Sequence, residues 1–234
     1  MIKKIKRLAI IPARSGSKRI LNKNIKNFID RPIINFSIDN AIKSKLFKKI
    51  HISTDSIKFK KYIEKKNKIK IDFLRPKKIS NDNTPLIDVV GFVKKAFKER
   101  NFFFDEIWLI YACSPLTRFQ DLILASKKYQ LTDKKFPLIS IRRFDAPIEW
   151  SLKKKRNIYI PNFKDKLKLD SKKIMPCYYE SASFIIFDDK ILKKKNRFEK
   201  FYGYELPRER SIDIDNISDW NIAEHLYKFN KKGL

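Results

Sequence analysis

Glycine is scarce, with 4 residues in 234, where an average protein carries about 7%. That excludes a glycine-rich linker or a collagen-like fibre. Only two cysteines are present, Cys113 and Cys177. They are too few for a disulfide framework or a cysteine metal cluster. No apolar run approaches the ~20 residues of a membrane span. The early apolar stretch, Leu8 to Ile11, stops at Pro12, short of the ~7–15 residues of a secretory signal core. The expectation is a cytoplasmic protein with no membrane partner. Acids are few as well: 26 Asp and Glu face 55 Lys and Arg, a formal net charge of +29.

That charge points first to nucleic acid, but its make-up argues otherwise. Only 13 of the 55 basic residues are arginine, and the lysines run along the whole chain rather than along one tail. Abundant Lys, Ile, Asn and Phe beside scarce Gly is the pattern of AT-rich coding. Nucleic acid is therefore not an expected partner. A positive field still attracts any polyanionic small molecule. What is present suffices for a core: 43% of residues are hydrophobic and 13% aromatic.

Strand and helix patterns alternate. Short apolar runs at Arg7–Ile11, Lys49–Thr54, Ile69–Leu74, Glu106–Ala112 and Leu138–Arg142 read as strands. Helical periods lie at 33–47, 55–66, 85–100 and 120–131 between them. This predicts an α/β fold, a mainly parallel sheet with helices on both faces. Residues 144–182 break the rhythm and contain a hairpin-like WSLKKKRNIYIPNF, expected to be an inserted interaction segment of a single domain spanning 1–234. Strands follow at Ser183–Phe187, Tyr202–Leu206 and Ser211–Asp215. A last helix over Ser218–Phe229, capped by Ser218, is expected to pack on the sheet.

Two clusters carry chemistry. The loop after the first strand, IIPARSGSKRILNKN, holds Arg14, Lys18, Arg19 and Lys23 around Ser15, Gly16 and Ser17. Cations and close-approaching backbone N–H groups together suit a triphosphate. The P-loop spacing is absent. In SIDID, Asp213 and Asp215 stand two apart, so an extended backbone turns both carboxylates to one face. Two carboxylates beside a basic loop suit Mg²⁺. Read locally, a solvated basic turn and an acid pair neutralising nearby lysines fit the same residues.

PARSGSKRI…KN resembles the nucleotide-binding signature of the bacterial cytidylyltransferases that activate nonulosonic acids. FLRPKKISNDNTP resembles the family's LRPxxLSxDxT, and IYACSPLTRFQDL its PLR-type loop. RPIINFSIDNAIKSKLFKKIHISTD and YELPRERSIDIDNISDWNIAEHL are similar to its second strand region and its C-terminal strand and helix. The resemblance implies a Rossmann-like nucleotidyltransferase fold. It also implies a Mg²⁺-dependent reaction of CTP with a nonulosonic acid, giving a CMP-sugar and pyrophosphate. Pseudaminic acid is the favoured substrate, with N-acetylneuraminate and legionaminate as alternatives, and a homodimer is implied.

By the same resemblance, Arg14, Ser15, Ser17, Lys18 and Lys23 hold the triphosphate, and Ala13 and Asn24 touch the nucleoside. Arg75, Ser80 and Asp82 lie near the base or ribose. Asp213 and Asp215 hold the metal and, with Arg14 and Lys23, form the catalytic set. Tyr111, Ser114, Arg143 and Tyr179 are candidate sugar contacts. Some departures stand out: Leu21 replaces a proline, and the stretch the family writes as HDAGQFY reads Tyr179, Glu180, Ser181, Ala182, Ser183, Phe184 here. A basic nucleic-acid-binding module and a catalytically silent partner subunit are the readings from other classes.

Overall fold

A computed structural model describes residues 5–67, 69–194 and 198–232. Its strands are β1 (Arg7–Pro12), β2 (Asn27–Phe28), β3 (Arg31–Pro32), β4 (Lys49–Ser53), β5 (Glu106–Ile110), β6 (Leu138–Arg143), β7 (Leu152–Lys155), β8 (Ile158–Pro161), β9 (Tyr178–Asp188) and β10 (Tyr202–Glu205). Its helices are α1 (Ile34–Ser44), α2 (Ile57–Asn67), α3 (Leu86–Lys98), α4 (Phe119–Gln130) and α5 (Ile217–Lys232).

Six strands form the main sheet in the order β10-β6-β9-β5-β1-β4. Neighbours run parallel except around β9, which is antiparallel to both β5 and β6. β1 reads as continuous apolar sequence because both its faces are covered. Leu8 and Ile10 point to α3, where Val89, Val90, Val93 and Phe97 meet them. Ala9 and Ile11 point the other way, to Ile34 and Ile38 of α1, Phe59 and Ile63 of α2, and Leu122 and Ala125 of α4. Helices thus pack on both faces of a Rossmann-like sheet.

A third, smaller core positions the site. Ile20, Phe28 and Ile33 from the segment after β1 pack with Phe36 of α1 and with Ile214, Trp220 and Ala223 near the C-terminus. Phe28 sits edge-on to Trp220 at 5.5 Å and to Phe36 at 5.4 Å between ring centroids. Residues some 190 positions apart in sequence are thereby pinned together.

Four expectations need correction. Residues 69–74 are not a strand. Their polar groups bond side chains of the α2–β4 region instead: Ile71 N–H donates to Glu64 at 2.8 Å, and Asp72 takes Lys49 at 2.8 Å. Residues 211–215 are not a strand either, because side chains again satisfy the backbone. Lys23 donates to the Ile214 carbonyl, and the Asp215 N–H donates to Asp219 at 2.9 Å. The expected strand at 183–187 is the far half of the eleven-residue β9. Finally, α5 is capped by Asn216, which accepts from the Ser218 and Asp219 N–H groups at 2.8 and 3.0 Å. Its buried face meets the third core and not the sheet.

Candidate active site

The loops following β1, β4 and β5 emerge on one side of the sheet, where ligands gather in α/β folds. There a cleft of about 210 Å³ is lined by Arg14, Ser17, Lys18, Arg19, Lys23 and Asn24 from the first loop. Arg75, Tyr111 and Cys113 contribute further walls, and Asp213 and Asp215 close it. The loop is anchored at its base. The Ala13 N–H continues the β1–β4 ladder to the Ser53 carbonyl at 2.9 Å. Asp55 takes the Ser15 N–H at 2.9 Å and its hydroxyl at 3.0 Å. Asn24 donates to the Arg14 carbonyl at 2.9 Å and accepts from the Cys113 thiol at 3.3 Å.

The cationic loop and the acid pair meet directly. Lys23 donates to the carbonyl of Ile214, the residue between the two aspartates. Arg19 ion-pairs with Asp215 at 2.8 Å. Ile214 is fully buried while both neighbouring carboxylates line the cleft, so the extended alternation persists without a sheet partner. The walls of the cleft desolvate Asp213, and Asp215 adds like-charge repulsion; together they raise the Asp213 pKa despite Lys23. Burial likewise pushes the Cys113 thiol up to about 12. Tyr111 is raised by burial and by Glu180, to which its hydroxyl donates.

Arg75 is 5% exposed, and its Nε and Nη2 have no hydrogen-bond partner among the described residues. Its pKa is lowered by burial, with Arg14 adding to the effect. Unpaired buried donors cost about 1–3 kcal/mol each. In a cleft wall they mark a place where an acceptor-rich ligand compensates.

The family model described as cytidylyltransferase matches residues 8–129, more than half of the chain. The chain belongs to the cytidylyltransferase family. It is 31% identical over 229 residues to a pseudaminic acid cytidylyltransferase of Campylobacter jejuni serotype O:2, covering 97% of this chain and 98% of that protein. An N-acylneuraminate cytidylyltransferase of Escherichia coli O18:K1:H7 is 28% identical, covering 92% of this chain and 51% of its own. A CMP-N,N'-diacetyllegionaminic acid synthase of Legionella pneumophila is 26% identical, covering 97% and 98%. A solved CMP:2-keto-3-deoxy-manno-octonic acid synthetase complexed with CTP shares the fold, with a TM-score of 0.68 at 13% identity over 96% of this chain and 99% of that one.

Not every candidate reaches the cleft of this cytidylyltransferase. Ala13 is fully buried beneath it, and Ser15 is committed to Asp55. Ser80 closes its own turn on the Pro76 carbonyl at 2.9 Å. Ser114 is buried and bonds the Tyr111 carbonyl at 2.9 Å. Arg143 and Tyr179 line two separate hollows at the base of the 144–182 segment. Asp82 stands against Arg14 and Lys18 at the edge of the cleft.

The structure also adds residues to which the sequence assigned no role. Asp55, which anchors Ser15, is one. Ala182 is a second: it lines the cleft with φ 49°, a left-handed conformation that suits glycine. It occupies the glycine place of the family's HDAGQFY pattern, so the mismatch itself was the available signal.

Proposed function

We propose that this cytidylyltransferase uses CTP to activate pseudaminic acid in the cytoplasm, giving the CMP-sugar and pyrophosphate. The observation that carries the reading is the contact of Lys23 with the Ile214 carbonyl, which sets the triphosphate-type loop against the twin aspartates. Near full-length similarity to two proteins named pseudaminic acid cytidylyltransferase supports the choice of sugar.

The sugar's anomeric hydroxyl oxygen forms a bond to the α-phosphorus as the bond to pyrophosphate breaks, and the hydroxyl's proton passes to one of the cleft carboxylates, Asp213 or Asp215. Catalysis by this chain is positioning and charge stabilisation. Arg14, Lys18 and Lys23 neutralise the phosphate tail and the departing pyrophosphate, with the small Ser17 letting backbone approach. Arg75 offers its unpaired donors to base or ribose oxygens, and Asn24 fixes the loop beneath the nucleoside. Tyr111, held by Glu180, faces the sugar side. Mg²⁺ fits the donor set, because two carboxylates that line one cleft, with Asp213 desolvated and repelled by Asp215, invite a hard cation. Asp213 and Asp215 would hold it, and the ion would supply charge neutralisation at the phosphates.

The 144–182 segment is proposed to be the dimerisation arm of a single catalytic domain, forming a homodimer. Leu152, Ile158 and Tyr159 on its hairpin are 50–61% exposed, leaving apolar side chains uncovered on both faces of the ribbon. N-acetylneuraminate and legionaminate are the alternative sugars, kept because the stretch at 179–184 departs from the family's pattern.

A pyrophosphate-release assay with CTP and Mg²⁺ tests the proposal, run side by side with pseudaminic, N-acetylneuraminic and legionaminic acids. The expected result is release with the highest kcat/KM for pseudaminic acid. Faster turnover of either other acid overturns the sugar assignment.

A further inference from the structure

The cations of the first loop are already occupied in the free protein. Asp82 is the partner of two of them at once. One carboxylate oxygen takes Arg14, and the other takes the Lys18 Nζ at 2.7 Å. The two cations hold the Asp82 carboxyl below the usual carboxylate range, so it is ionised at neutral pH. Its presentation is built. Asn81 accepts from the Asn83 N–H at 3.0 Å and the Thr84 hydroxyl at 3.1 Å, and donates to the Lys78 carbonyl at 3.1 Å. That closed turn, at the end of the segment after Arg75, holds Asp82 out towards the loop. In a chain with half as many acids as bases, a carboxylate shared between two cations of the cleft is a specific placement.

We propose that Asp82 sets how tightly the enzyme holds the phosphate tail: it occupies the Arg14–Lys18 pair when the cleft is empty, yields it to the β- and γ-phosphates of CTP, and retakes it as pyrophosphate departs. This rests on the reading of the loop as the triphosphate cradle. The physical argument is linkage. A ligand that must displace an internal contact binds more weakly by the fraction of molecules in which that contact is open. Every ligand that uses Arg14 and Lys18 bears the same factor, so CTP and pyrophosphate are weakened together. CMP lacks the two outer phosphates and does not bear it. Asp82 thus narrows the gap in affinity between long-tailed and short-tailed nucleotides and eases release of the product anion. Exposed ion pairs are individually weak, so the two together are expected to give a factor of about three to ten.

Titration calorimetry with CTP, pyrophosphate and CMP on the parent and on Asp82→Asn tests this. In Asp82→Asn, CTP and pyrophosphate should bind about three- to tenfold more tightly and by matching factors, with CMP unchanged. Pyrophosphate should also become a stronger product inhibitor by the same factor. Unchanged or weakened pyrophosphate binding overturns the proposal, as does a gain shared equally by CMP. An Arg14→Ala variant separates the premise. Loss of pyrophosphate affinity there with no gain in Asp82→Asn defeats the Asp82 role alone, whereas no loss in Arg14→Ala defeats the cradle itself and the proposal with it.

Discussion

At the scale of single residues, the cleft shows how environment outweighs residue type. Asp213, Arg75 and Tyr111 all line one cleft, and each is shifted towards its neutral form, chiefly by burial. Away from the cleft, His51 is the outlier. It is fully buried on β4, 4.3 Å from the Phe73 ring, and neither ring nitrogen has a hydrogen-bond partner among the described residues. Burial lowers its pKa below 6.5, and Lys49 and Arg100 lower it further against the pull of Asp72, 3.9 Å away. Burial also works against the charged form of Asp72, but His51 and Lys49 prevail and hold it at about 2. Both groups have folded pKa values below their unfolded ones. Each therefore contributes stability that is complete above the unfolded value and lost as the pH falls. His51 acts first, from about pH 6.5 downward, and Asp72 only from about 3.8 towards 2. Below about pH 6.5 the slope from this one proton rises towards at most ~1.4 kcal/mol per pH unit. Melting curves across pH 5–7.5 should therefore flatten in His51→Leu. The other histidine, His225, is exposed on α5, so curves that stay parallel remove His51 as the cause.

At the scale of elements, the hairpin of β7 and β8 stands apart. Among the described residues it pairs only with itself, and an isolated two-stranded ribbon is marginal in water. Its Ile158 and Tyr159 are about 60% exposed, and the proposed homodimer would cover them. Light scattering on the parent should give twice the 28.0 kDa chain mass, and Ile158→Glu should shift the protein towards monomer with the main sheet intact. A monomeric parent contradicts the arm assignment. The hairpin was legible from its sequence because turn residues separate two short β-prone runs. β9 was only half legible. Its first residues, Tyr178 to Glu180, read as part of the arm, yet they pair with Ile141, Arg142 and Arg143. The two false strands share one cause. Ile69–Leu74 and Ser211–Asp215 have the apolar–polar alternation of strands, but side chains such as Glu64, Lys23 and Asp219 take their backbone groups. Alternation records which side is buried and says nothing about what the backbone bonds.

At the scale of the whole molecule, the account depends on joining the chain's two ends. Local pattern supplied the loop and the acid pair separately, and only resemblance to a family placed them in one site. The physical link is the third core, where Ile20 and Phe28 pack with Ile214 and Trp220. No periodicity announces it, since its members are single apolar residues in irregular segments. Asp55 escaped notice for a similar reason: an acid after a strand carries no signal until its partner, Ser15, is known. The most direct test of the joined site is pyrophosphate release by Asp215→Ala, with circular dichroism confirming its fold. The account predicts a loss of about a hundredfold or more in kcat, the scale seen when charge stabilisation of a transition state is removed. A folded Asp215→Ala protein that releases pyrophosphate at the parent rate would contradict it.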